Sequence, residues 1–189
     1  MSGLKGVSPD AMPQAVAALP ETERLDVLWK LIVEAYGEGE DLRKTGKAED
    51  SAGSKAAWRR LSRYADQAWA IGPRHPEHPM AAPAMFNAHI YLGTVALWDG
   101  DVRTALAHLK AAPDTVPSAS TGYNGDPASN RLVRYLLKAG EREAVIAYCE
   151  RLATINPEES RSLNATAEAI RAGRMPEWYQ MVTEGEAAR

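Results

Sequence analysis

The chain is poor in the residues that announce a chemistry. Cys149 is the only cysteine among 189 residues, which excludes an intrachain disulfide and any multi-cysteine zinc site and points to a reducing compartment, with the cytoplasm as the expected location. No segment reaches the roughly 18 to 20 consecutive apolar residues that span a bilayer. The longest candidate, Met80 to Trp98, is broken by Pro83, Asn87 and His89. Residues 1–6 hold one lysine but no signal-like apolar core, and Pro9, Asp10 and Pro13 interrupt the next stretch, so neither a membrane partner nor export by a signal peptide is expected. The formal net charge of -3 leaves no electrostatic footprint for direct nucleic-acid binding. Long alternating β-branched runs are also missing, which argues against sheet.

What is present is helical periodicity. With hydrophobic residues at 45% and charged residues at 25%, the chain fits one ordinary globular domain over residues 1–182, followed by a frayed tail at 183–189. The predicted class is all-α, with about seven helices. After a short turn of helix at Pro13 to Leu19, Pro20 suits a first helical position, and Leu25, Leu28, Ile32 and Ala35 form an apolar stripe that ends at Gly37. Asp26 and Lys30 are placed to pair on its outer side. Residues 38–54 are charged, contain glycine and present no apolar face, so they predict a mobile loop.

The next stripe, Ala57, Leu61, Tyr64, Ala65 and Ala68, runs to Gly72 and Pro73, with Arg59, Arg60 and Arg63 on the expected solvent side. Three prolines between Pro73 and Pro79 predict an extended connector. Beyond it, two helical hairpins share a common plan. One joins helices near 83–98 and 102–112 through Gly100 and Asp101. The other joins 129–139 and 141–155 through Gly140. A serine- and glycine-rich loop, Ser118 to Asp126, separates them, and a helix near 159–172 with Leu163, Ala167 and Ile170 closes the series.

The order Leu92, Gly93, Gly100, Asp101, Ala105, Leu109, Ala112 and Pro117 resembles a tetratricopeptide (TPR) helical hairpin. His89 stands where that motif prefers tryptophan and Ala96 where it prefers tyrosine. The best-matching repeats are 86–119 and 126–159. In the second, Leu132, Gly140, Cys149 and Pro157 keep the register, while Val133 replaces the glycine and Val145 the small residue. Tyr64, Ala65 and Trp69 are similar to the second helix of an earlier, worn repeat. The runs His89 to Lys110 and Leu136 to Ala144 are also similar to a set of bacterial TPR-like proteins, a resemblance that brings no activity with it. Ala18 to Leu28 is similar to the start of a sigma-factor DNA-binding region, but Gly37 and the acidic stretch occupy the place of its helix-turn-helix. The TPR resemblance implies a right-handed α-solenoid that acts as a non-catalytic adaptor, binding a protein or acidic peptide segment on its concave surface without a cofactor.

By the register of that resemblance, Asn87, Thr94 and Trp98 of one first helix, and Asn130, Arg134 and Lys138 of the next, belong to the concave face. Amides and cations satisfy carboxylates, and an aromatic covers the adjoining apolar part. The alternative is a small helical enzyme or small-molecule-binding protein with a pocket around His89, Asn87 and Tyr91. His75, Glu77 and His78 are the most ligand-like cluster, yet an extended, proline-locked strand turns such side chains outward, so no metal is expected. Cys149 falls at a packing position, where an inert thiol is expected. Five tryptophans against one phenylalanine leave two readings of Trp58, Trp69 and Trp98: anchors of a homodimer, or fillers of the gaps left by many alanines.

Overall fold

A computed structural model describes residues 4, 6–45, 48–116, 127 and 130–179, and all regular elements among them are helical. The chain divides into two compact units, residues 1–92 and 93–189, with the division inside one helix.

The first unit contains α1 (Met12–Ala17), α2 (Glu21–Lys44), α3 (Ala48–Ile71) and the beginning of α4 (Ala81–Trp98). Both predicted stripes are buried: Leu25, Leu28 and Ile32 on α2 and Ala57, Leu61, Ala65 and Ala68 on α3 are each 0% exposed. The charged stretch after Gly37 is the main correction. It is not a loop, because α2 continues through it to Lys44, and α3 is already helical at Ala48. Residues 46 and 47 lie outside the described set.

Charge does not prevent this helix because its charges are partnered. Glu40 receives Lys44 at 3.2 Å, one turn on, and Arg60 of α3 reaches Glu38 at 2.6 Å. Arg60 is accordingly only 8% exposed, so it leaves the solvent face that Arg59 and Arg63 keep. The glycines, read as breakers, are contact points. A Cβ on Gly39 would overlap the indole Nε1 of Trp58 and lie 2.6 Å from its Cδ1, and one on Gly53 would lie 2.9 Å from Leu42 Cδ1. These pairs run in opposite directions along α2 and α3, as in an antiparallel hairpin. Lys30 pairs with Glu34 at 3.6 Å rather than with Asp26.

The connector after α3 is turned, not extended. Gly72–Arg74 forms a 3-10 turn, and bends continue to Met80. Its side chains fold back onto α2 instead of facing outward. His75 Nε2 lies 2.8 Å from Glu21 Oε2, Arg74 lies 2.7 Å from the other oxygen of that carboxylate, and His78 Nε2 lies 3.4 Å from Asp26. The hydrogen bond to His75 holds the Glu21 carboxyl below its ordinary range, against partial desolvation and with help from the Arg74 charge.

In the second unit, the end of α4 is followed by α5 (Val102–Ala111), α6 (Arg131–Lys138), α7 (Arg142–Ile155) and α8 (Ser160–Arg171). The two predicted turns are built alike. Gly100, at φ 82°, donates to Leu97 O, and Asp101 donates to Ala96 O; Gly140, at φ 92°, donates to Leu137 O, and Glu141 donates to Leu136 O. Only a residue without Cβ enters this left-handed conformation freely. Asp101 then caps α5, accepting from Thr104 N–H at 3.0 Å, a bond that lowers its carboxyl pKa. Gly93 lies where three helices meet: a Cβ there would be 2.5 Å from Leu132 Cδ2, 3.0 Å from His108 Cβ and 3.4 Å from Ala105 O. Leu163, Ala167 and Ile170 of α8 are buried as predicted, and Arg171 of α8 pairs with Glu150 of α7. Pro117, the Ser118 to Asp126 loop and the 183–189 tail fall outside the described residues.

Candidate functional site

The first helices of the two hairpins, α4 and α6, meet in the second unit through Trp98 and Tyr135, whose rings stand edge to face at 6.2 Å. Both are half-buried, so their remaining surface is open. Arg134 adjoins Tyr135 in sequence, and Lys138 lies one turn beyond both, so the three share one side of α6. Lys138 is exposed and Arg134 half-buried. Tyr135 was not among the residues singled out from sequence. Its signal was its spacing, three residues before Lys138 on a helix of strong amphipathic pattern.

Two other members of the predicted set are withdrawn from any surface. Thr94 is 0% exposed and Asn130 is 4% exposed. Asn130 is a structural residue twice over. Its Oδ1 accepts from Val133 N–H at 3.3 Å, capping α6, and its Nδ2 donates to the Tyr148 hydroxyl of α7 at 2.9 Å. An eight-residue helix depends on such a cap. Asn130→Ala is expected to cost about 2 kcal/mol, roughly one for the cap and one for the hydrogen bond. Asn130→Ser, which keeps only a capping oxygen, should recover about half in urea unfolding. A change within about 0.5 kcal/mol for the alanine variant would return Asn130 to the surface.

In the first unit, Asn87 is half-buried on α4, and His89 and Tyr91 enter separate stacks. His89 lies on Trp69, with centroids 4.5 Å apart, and Tyr91 on Tyr36, at 4.2 Å and nearly parallel. Two residues along a helix differ by about 200° in direction, so these two side chains serve different contacts rather than one pocket. The three tryptophans singled out from the sequence each have a packing partner and are half-buried. Trp58 occupies the Gly39 notch, Trp69 donates to Met85 O at 3.3 Å, and Trp98 packs on Tyr135. Trp29 is the exposed one, at 38%.

Cys149 is 0% exposed, and burial, aided by the charge of Glu150, pushes its thiol pKa up to about 12. Because it is the sole cysteine, it gives a clean test. A disulfide reagent at pH 8 is expected to leave the native protein unlabelled and to label one thiol per chain in denaturant. Labelling of the native protein at the rate of a free thiol would contradict the burial. Among the described residues, no group of three or more His, Cys, Asp or Glu is arranged to hold a metal ion, and no helix is long and apolar enough to cross a membrane.

A concavity with a volume of about 430 Å³ lies between the second helices, α5 and α7. Sequence reasoning missed it, because its lining combines Leu109, part of the hairpin pattern, with residues such as Ala144 and Ala147 that carry no signal of their own. The fold and these two surfaces define an all-α protein of packed helical hairpins. No protein-family model, no curated protein and no solved structure matches the chain.

Proposed function

We propose that this chain is a non-catalytic binding protein whose second unit is a short stack of TPR-like hairpins, and that its first-helix face receives an acidic protein segment. The observation that carries this reading is the open aromatic pair Trp98–Tyr135, which joins successive first helices beside Arg134 and Lys138. The cations offer charge-assisted hydrogen bonds to carboxylates, while the rings cover neighbouring apolar side chains. Support for TPR-like stacking comes from the repeated turns, identical in their hydrogen bonds and forty residues apart, and from Gly93 at its three-helix contact. The groups gathered at this face, two cations beside two aromatic rings, are suited to binding.

The test is affinity capture from the native cell with the wild-type chain and with Arg134→Glu/Lys138→Glu. An acidic partner retained by the wild type and lost from the double variant is the expected result. The same proteins retained by both would remove the face from any binding role.

A further inference from the structure

The groove between α5 and α7 has the make-up of a site for a second ligand, independent of the first-helix face. Its floor is apolar: Leu106, Leu109, Pro113, Ala144, Ala147 and Tyr148. Its volume of about 430 Å³ lies within the roughly 300–1,000 Å³ usual for small-molecule sites. Its walls are held in place before anything binds. Tyr148 is 2% exposed and its hydroxyl accepts from Asn130, while Arg151 of α7 donates through Nε and Nη2 to Asp114 Oδ1, at 3.1 and 2.9 Å, tying α7 to the turn after α5. Preorganised walls lower the entropy lost on binding.

Charge decides what fits. The rim carries Lys110, Arg151 and Asp114. Arg151 and Asp114 neutralise each other, and exposed Lys110 makes no ion pair among the described residues, so the rim is left with one positive charge over an apolar floor. An uncharged apolar ligand would leave that ammonium idle, and a dianion would meet too few donors. We propose that the α5/α7 groove binds an apolar monocarboxylate, a medium-chain fatty acid or a molecule like it, with its chain on the Leu109–Tyr148 floor and its carboxylate on Lys110.

Octanoate and its uncharged counterpart octanol are the probes, titrated into the full chain by calorimetry and by methyl shifts of Leu106 and Leu109. Octanoate is expected to saturate, to shift those methyl groups, and to bind about fivefold more tightly than octanol, the value of one exposed ion pair. Lys110→Gln should reduce octanoate to the octanol affinity and leave octanol unchanged. Ala147→Trp, a substitution at an exposed position of the floor, should block both. Thermal melts check that each variant is folded; if the tryptophan variant is not, Lys110→Gln still decides the matter. Failure of octanoate to saturate, shifts confined to other regions, or an octanoate affinity indifferent to Lys110→Gln would each overturn the proposal.

Discussion

Gly39→Leu is expected to destabilise the protein by about 3 kcal/mol, the upper end of the usual overpacking range. The side chain would enter space already filled by the Trp58 indole, whose Cδ1 lies 2.6 Å from the position of a Cβ. At roughly 2–4 °C per kcal/mol for a chain of this size, the melting temperature should fall by about 6–12 °C. The size of the loss separates two accounts of residues 38–45. In a loop, the substitution would change stability by less than about 0.5 kcal/mol. Trp58→Ala should restore part of the loss in the double variant, since residues in contact couple by about 0.5–3 kcal/mol.

Gly93→Leu is the second large effect, also about 3 kcal/mol or more. Leu132 Cδ2 is the nearest neighbour of an added Cβ and can turn aside, but His108 Cβ and Ala105 O belong to the α5 backbone and its first side-chain atom. They cannot move without widening the space between α4 and α5. Gly93→Ala should cost less, because alanine favours the helical state by about 1 kcal/mol over glycine and offsets part of the clash. Urea unfolding of the two variants gives the comparison. Equal stability of wild type and Gly93→Leu would mean that the helices do not meet there.

These two glycines also show what could be read from residue order and what could not. Gly100 and Gly140 were readable as turns because each ends one helical stripe and precedes a new one, and a cap is a local device. Gly93 was readable through its place beside Leu92 in a hairpin pattern. Gly39 and Gly53 were misread, since a glycine inside a helix that accepts a distant tryptophan or leucine carries no local sign of it. Their charged neighbours deepened the error. Glu38 gains its helical role from Arg60, twenty-two residues away, and such pairing is invisible to a windowed reading.

The candidate site divides in the same way. Spacing placed Trp98, Arg134 and Lys138 on helices and left them open in part. Spacing could not foresee that Asn130 would be spent on the α6 cap and on Tyr148, because an asparagine before a helix reads equally as cap or ligand. The α5/α7 groove depends on small residues, Ala144 and Ala147, facing an apolar wall across the hairpins. A concavity is a relation between elements, so neither helix alone reveals it.

The most direct test of the binding face is a fluorescence-polarisation titration with a labelled peptide of alternating glutamate and leucine, repeated from low to physiological ionic strength. Wild type should bind it and weaken as salt rises, because exposed attraction is screened over about 8 Å at 0.15 M. Arg134→Glu/Lys138→Glu should bind several-fold more weakly at low salt and show a flattened salt dependence. Equal affinity and equal salt slope for the two proteins would contradict the account.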